Sequence, residues 1–454
     1  MDNSATVREI RKRSIAAVFG NVFSDLQGRQ AEEAAVETLR VARSLISYYH
    51  KYLSTGAVMR LISNEFAKDG TVRRSVGAIR FLREWVYIRF DADFRGNRNR
   101  MQRLYKFLLS VNYKKSDELR DELNAIKLFL ISKYPWIIKP ELSPGKRRGT
   151  SAVETPRLSM SLELSLSVGA GRISLMKLDS RFIASHMIRV TFDAFQLVSP
   201  PDFYDNNPLN HTGLRSFVKR NEDTRAWVSS MILIQPTPKT QRGVAIKFIE
   251  VANFCREAGN LQDCYAIVQA FLVHEVARVR RIWGVPENIR AMAGECEQLF
   301  SHEGNYKALR AEVRRRLESK KLCIPYLGVW QKDVTMSTEA NPLYNTDNTV
   351  NMDKLKVEGD ILANIAACQA KHPGKNHGPW TNEPLLNLLR ELPHKSQKEL
   401  EVLSETIRPR RTADGADSSA TSKSAWGPAS EEGSSTLSTR SDDNSGRSDD
   451  YVDL

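Results

Sequence analysis

Cysteine is scarce in this chain and forms no pattern. Cys255, Cys264, Cys296, Cys323 and Cys368 are odd in number, widely spaced and without a C-x-x-C pair, which argues against a disulfide framework or a zinc site and fits a reducing cytoplasmic compartment. Long apolar runs are missing: no stretch approaches the ~18 consecutive apolar residues that a membrane span requires. The cations Arg8, Arg11, Lys12 and Arg13 precede Ile15-Ala-Ala-Val-Phe, but Gly20, Asn21 and Asp25 break that run too early for a signal-peptide core, and Asp2 and Glu9 spoil a transit peptide. A surface helix is expected there instead. β signals are scarce. Gly169-Ala-Gly-Arg-Ile-Ser lacks the G-x-x-x-x-G-K-[ST] spacing of a phosphate loop, which speaks against nucleotide hydrolysis. No cofactor or metal ion is expected.

What is present suits several folded units. At 454 residues and 41% hydrophobic, the chain can build two or three cores and is too long for one ordinary domain. Its net charge of +13 is unevenly placed. Residues 412–454 hold nine acids, three bases and eleven serines, a net of −6 that leaves +19 on the rest. With one Trp and few other large apolar side chains, that tail cannot offset the entropy of ordering it, so a disordered Ser/Asp-rich tail open to phosphorylation is expected. Pro, Gly and Ser punctuate residues 140–170 and read as a linker. Within it Lys146-Arg147-Arg148-Gly149-Thr150 could serve a basophilic kinase, although such short basic runs are common in solvated loops.

Between these breaks apolar residues recur every three or four positions, as in Leu39, Ala42, Leu45, Ile46 and Tyr49. The fold expected is all-α. Val76 to Phe94 sets Ile79, Leu82, Trp85 and Val86 on one face. Val244 to Glu257 does the same with Ala245, Phe248, Ile249, Ala252 and Cys255. Each stripe alone signifies core.

Their order along the chain resembles the Ras-type guanine-nucleotide exchange factors. Asn260 to Trp283 (NLQDCYAIVQAFLVHEVARVRRIW), Cys323-Ile-Pro-Tyr-Leu-Gly and Val350-Asn-Met resemble words of the Son-of-sevenless-like catalytic domain, together with Ile183-Ala-Ser-His-Met-Ile, Phe195 to Tyr204 and Trp227. Phe81-Leu-Arg-Glu-Trp and Phe90-Asp-Ala-Asp-Phe resemble the helical Ras exchanger motif that precedes it. The implied organisation is a basic segment over 1–30, an exchanger-motif bundle over 31–139, the linker 140–170, an exchange domain over 171–411 with a protruding helical hairpin, and the tail 412–454. The implied function is release of GDP from a Ras-family small GTPase by opening its switch loops, an exchange catalysis without covalent chemistry.

That resemblance also implies site residues. Residues 353–369 look like the hairpin helix that enters the GTPase, with Val357, Ile361, Ile365 and Cys368 on one face and Asp360 beside Asn364 on the next. Ile361 matches the apolar side chain that fills the magnesium site. Asn364 stands where a carboxylate competes with phosphate; an amide still hydrogen-bonds but cannot repel, and Asp360, one turn earlier, is placed to compensate. Lys219, Asn260, Asn351 and Met352 match GTPase-contacting positions, Met352 replacing the usual Phe. Asn260 also reads as a helix cap, Lys219 as a solvated residue in a polar loop, and Arg278 as a tie between helices.

Two other classes stay open. An inactive exchange-domain adaptor for a GTPase or scaffold is suggested by Asn364, Met352 and the short connection from Pro342 to Val350. Arg310, Arg314, Arg315, Arg316, Lys320 and Lys321 suggest nucleic acid, but no recognised motif accompanies them and no specific nucleic acid is expected. The basic body suits peripheral association with an anionic membrane, placing the protein in the cytoplasm or at the inner face of the plasma membrane.

Overall fold

The computed structural model describes residues 3–26, 32–67, 72–111, 116–133, 166–168, 171–173, 175–203, 212–370 and 382–408. The tail, the kinase-like basic run and most of the expected linker lie outside them. Six helices come first: α1 (Asn3–Asp25), α2 (Glu32–Tyr48), α3 (Thr55–Ala67), α4 (Val72–Phe90), α5 (Arg98–Ser110) and α6 (Asp117–Lys133). A small antiparallel hairpin follows, β1 (Leu166–Val168) against β2 (Gly171–Ile173), with Leu166 opposite Ile173. Eleven helices complete the described chain: α7 (Ser180–Phe195), α8 (Thr212–Leu233), α9 (Pro238–Ala258), α10 (Leu261–Leu272), α11 (His274–Arg280), α12 (Glu287–Leu299), α13 (Lys307–Glu318), α14 (Gly328–Ala340), α15 (Met352–Gln369), α16 (Glu383–Glu391) and α17 (Gln397–Ile407). The fold is all-α, with one addition: the three-residue strand β1 lies inside the stretch expected to be only linker.

Two hydrophobic cores organise these helices. The first belongs to α1 to α6. It buries Ile79, Leu82, Trp85 and Val86, the face legible in the sequence. Helix α1 is no appended basic segment. It inserts Ile15, Phe19 and Phe23, and the last two meet Phe81 edge-on at 5.4 and 5.2 Å between ring centroids, while Arg8, Lys12 and Arg13 are exposed. At the end of α4 the backbone leaves helical geometry at Arg89 and winds a π turn over Asp91–Arg95. That turn carries Asp93 into the core, where its carboxylate accepts hydrogen bonds from Tyr49 (2.9 Å), Trp85 (2.7 Å) and Arg89 (3.0 Å). Asp93 is thus what the Phe-Asp-Ala-Asp-Phe word encodes.

The second core spans α7 to α17. Helix α9 starts on a Thr237 capping box with Pro238 in its first turn, and stops at Gly259, whose φ of +95° is left-handed. A Cβ at Gly259 would lie 2.2 Å from the Leu322 carbonyl oxygen, so glycine is required there. This sharp stop lets α10 begin at once, and it brings residues 259–262 beside Ile324: Ile324 N donates to Gly259 O at 2.8 Å and Leu261 N to Ile324 O at 2.9 Å. Two words read separately along the chain, Asn260-Leu-Gln-Asp-Cys-Tyr and Cys323-Ile-Pro-Tyr, therefore form one junction. The segment after Asn260 forms two helices, α10 and α11, separated by an extended Val273.

Candidate functional site

The hairpin is built by α14 and α15, joined through a connector closed by an isolated antiparallel bridge between Tyr344 and Val350. Asn351 is the N-cap of α15: its Oδ1 accepts the Lys354 N–H at 3.1 Å, while its Nδ2 donates to the Pro342 carbonyl at 3.2 Å. Between the helices lies a buried ion pair. Lys354 Nζ sits 2.9 Å from Glu358 Oε1 and donates to the Ser337 carbonyl at 3.2 Å, and Ser337 Oγ donates to Glu358 at 3.3 Å. Both side chains are almost wholly buried. Sequence reading missed this pair; its only signal was Lys and Glu four residues apart.

The hairpin does not stand free. Val334, Val350, Leu355 and Leu362 join the N-terminal core, Ile365 and Cys368 join the other, and Ile361 touches both. Helix α15 meets α2 so closely that a Cβ on Gly359 would lie 2.8 Å from the Arg40 carbonyl oxygen. Next to that contact Arg40 Nη1 pairs with Asp360 Oδ1 at 2.8 Å. Helix α1 holds the connector: the Val350 N–H donates to Ser14 Oγ at 2.9 Å, Arg11 Nε donates to Asn348 Oδ1 at 3.1 Å, and the Arg11 guanidinium lies 4.5 Å from the Tyr344 ring centroid.

These contacts correct the expected faces of α15. The buried side runs through Leu355, Glu358, Leu362, Ile365 and Cys368. Val357, expected with the buried set, is 48% exposed, because α2 and α14 cover the other side of the helix. The open side presents Met352, Val357 and Asn364, with Ile361 half-buried at its margin. Asp360 is on this side too, and its exposed carboxylate pairs with Arg40, a surface contact worth only ~0–1 kcal/mol.

The remaining site residues lie elsewhere. Lys219 is within α8, not in a loop, and its exposed ammonium meets Asp223 at 2.5 Å. Asn260 is fully buried. It caps α10 by accepting the Asp263 N–H at 3.1 Å and donates to Asp263 Oδ2 at 2.6 Å. Of the two roles open to it, the structure supplies the cap; both ends of the side chain are engaged internally and none of it reaches the surface. Thr191 also donates to Asp263, at 2.6 Å, and itself accepts from Arg220 at 2.9 Å. Burial pushes the Asp263 carboxyl up and the Arg220 guanidinium down, each partly opposed by the other's charge. Arg278 ties α11 to the end of α17 by exchanging hydrogen bonds with the Arg408 backbone carbonyl and side chain.

Half of the basic cluster in and just after α13 is consumed internally. Arg310 forks onto Asp333 at 2.7 and 2.8 Å, Arg315 pairs with Glu312, and the buried Arg316 reaches Glu312 and the carbonyls of Arg256 and Glu257. Among the described residues, no helix is long and apolar enough to cross a membrane.

The architecture is therefore that of a helical body whose two-helix hairpin packs on both cores and keeps a partly apolar open face. Residues 182–356 match the family model described as RasGEF domain. The chain carries a RasGEF domain. It is similar to Rap guanine nucleotide exchange factor 5 of Mus musculus, 28% identical over 206 residues, covering 45% of this chain and 25% of that protein. It is also similar to Ras guanine nucleotide exchange factor R of Dictyostelium discoideum, 26% identical over 238 residues (51% of this chain, 13% of that protein), and to RAS guanyl-releasing protein 4 of Rattus norvegicus, 26% identical over 254 residues (55% and 35%). The chain thus spans about a third or less of these relatives' lengths. The family match ends at Lys356, so Asp360, Ile361 and Asn364 lie beyond it.

Proposed function

We propose that this protein is a guanine-nucleotide exchange factor whose α15 enters between the switch loops of a Ras-family GTPase, of Ras or Rap type, and releases GDP so that GTP binds. The observation that carries this reading is the open face of α15, with Val357, Ile361 and Asn364 in a row on a helix braced by two cores, next to the matched RasGEF segment. Phosphates and Mg²⁺ order the switch loops of such GTPases, and a protein that binds the opened loops best weakens the nucleotide by the same coupling free energy. Each ~1.4 kcal/mol of preference for the nucleotide-free form is about tenfold in nucleotide affinity.

In this reading Ile361 takes the magnesium site and Asn364 hydrogen-bonds where phosphate leaves, while Met352 and Val357 extend the apolar contact. Lys219 turns from Asp223 to an acidic switch; the exposed pair that it gives up is worth only ~0–1 kcal/mol. Asn351 and Asn260 act from behind the interface by capping α15 and holding the 259–324 junction, while Asp360, on the open side, is oriented by Arg40. Residues 31–139 together with α1 form the exchanger-motif bundle, and 171–411 form the exchange domain, with its hairpin embedded in that bundle. The protein works in the cytoplasm and at anionic membranes.

The test is release of fluorescent GDP from purified Ras, Rap and Ral-type GTPases by the full chain, with Val357→Asp, Asn364→Ala and Lys219→Glu, all at exposed positions. Acceleration on at least one GTPase, cut tenfold or more by Val357→Asp at unchanged melting temperature, is expected. No acceleration by the folded protein across the panel rejects the reading. An adaptor is the second reading, favoured by the amide at Asn364 and the engagement of Asp360 with Arg40; binding of nucleotide-free GTPase without faster release would select it.

A further inference from the structure

From Phe94 to Ser116 the chain contains no Asp or Glu but seven cations, Arg95, Arg98, Arg100, Arg103, Lys106, Lys114 and Lys115. Helix α5 forms the middle of this run and has two faces. Met101, Leu104, Phe107 and Leu108 are buried in the N-terminal core. Gln102, Arg103, Tyr105, Lys106 and Leu109 face solvent. Leu109 is 62% exposed and Tyr105 39%, which places apolar surface among the cations instead of beneath them.

Helix α13 is the comparison: Arg314 makes no ion pair among the described residues there either, but Glu312 and Glu318 lie among its cations, whereas the α5 run holds no acid. In α13, Arg310, Arg315 and Arg316 pair with Asp333 and Glu312. In α5, Arg103 and Lys106 make no ion pair among the described residues, and the Arg100 guanidinium donates to the Asp93 backbone carbonyl, at 3.3 Å, and to no carboxylate. A cationic helix face without neighbouring acids attracts an anionic partner. The exposed Leu and Tyr select which one. Nucleic acid would use the cations and leave Leu109 in water. An anionic bilayer uses both, since cations sit at the lipid phosphates while Leu and Tyr enter the headgroup boundary.

We propose that the outer face of α5, centred on Arg103, Tyr105, Lys106 and Leu109, is a docking surface for an anionic lipid membrane. It lies in the N-terminal bundle, apart from the open face of α15, so the proposal stands whether or not the exchange reading does.

The experiment is co-sedimentation of the full chain with phosphatidylcholine vesicles with and without phosphatidylserine. It compares Arg103→Glu/Lys106→Glu, Leu109→Ser and a charge-matched control at exposed positions on and just after α13, Arg314→Glu/Lys321→Glu. Each cation near an anionic leaflet contributes about fivefold to partitioning. The α5 double variant is therefore expected to lose twentyfold or more on serine-containing vesicles, Leu109→Ser severalfold, and the α13 control little. All three change exposed side chains, and their melting temperatures verify folding. Absence of wild-type binding, equal losses from the α5 and α13 variants, or loss of vesicle binding to competing duplex RNA with no effect of Leu109→Ser would each overturn the assignment.

Discussion

Asp93 accepts hydrogen bonds from Tyr49, just past the end of α2, and from Trp85 and Arg89 of α4, and in doing so neutralises the buried Arg89. Its removal leaves that guanidinium uncompensated. Breaking one side of a buried pair typically costs ~3–5 kcal/mol, so Asp93→Ala should lower the urea midpoint of the N-terminal bundle by that equivalent. Tyr49 reports on the same site: burial and the neighbouring carboxylate push its phenol up. Glu399 gives a pH signature at the opposite extreme of exposure. The Ser396 N–H, Lys395 and the Ser396 hydroxyl hold its carboxyl down to about 2. A depressed carboxyl contributes stability above its unfolded value of ~4.3, and that contribution is lost as pH falls through about 2. Glu399→Gln should therefore lower the melting temperature at neutral pH, with the difference from wild type closing towards pH 2.

At the scale of elements, the Lys354–Glu358 pair explains how α15 is held against α14. Lys354→Met alone strands a buried carboxylate and should destabilise by ~3–5 kcal/mol, whereas Lys354→Met with Glu358→Leu should recover most of that loss. Chemical denaturation of both variants checks the cycle. This pair also marks the limit of what sequence reading reached. The helices were legible because apolar residues three and four apart reveal that a face is buried, as for Trp85 and Phe248. The cap at Asn260 was legible from its place after Gly259. What the period cannot reveal is which neighbour covers the face. Val357 and Leu355 are equally apolar, and only the arrival of α2, more than three hundred residues earlier in the chain, decides that Leu355 is inside. For the same reason Asp360 read as a free charge until Arg40 came into reach, and Lys219 read as a loop residue because the polar run around it hides one side of α8.

For the molecule as a whole, the posture of the hairpin is a property of both cores. Gly359 is the point where this coupling is narrowest, since any side chain there meets the Arg40 backbone, which cannot rotate away as a flexible side chain would. Gly359→Val should force α2 and α15 apart, at a cost of ~1–3 kcal/mol typical of overpacking. Hydrogen exchange measures where that cost falls. If the N-terminal bundle sets the posture of α15, amides of α15 and of the connector after Tyr344 lose protection, while those of α9 and α10, secured by the Gly259–Ile324 junction, keep theirs. Under the exchange reading the same variant should slow GDP release more than Asn364→Ala does, because it displaces the whole open face where Asn364→Ala alters one contact. Uniform loss of protection across both cores would mean instead that the two units unfold together and that Gly359 serves stability alone.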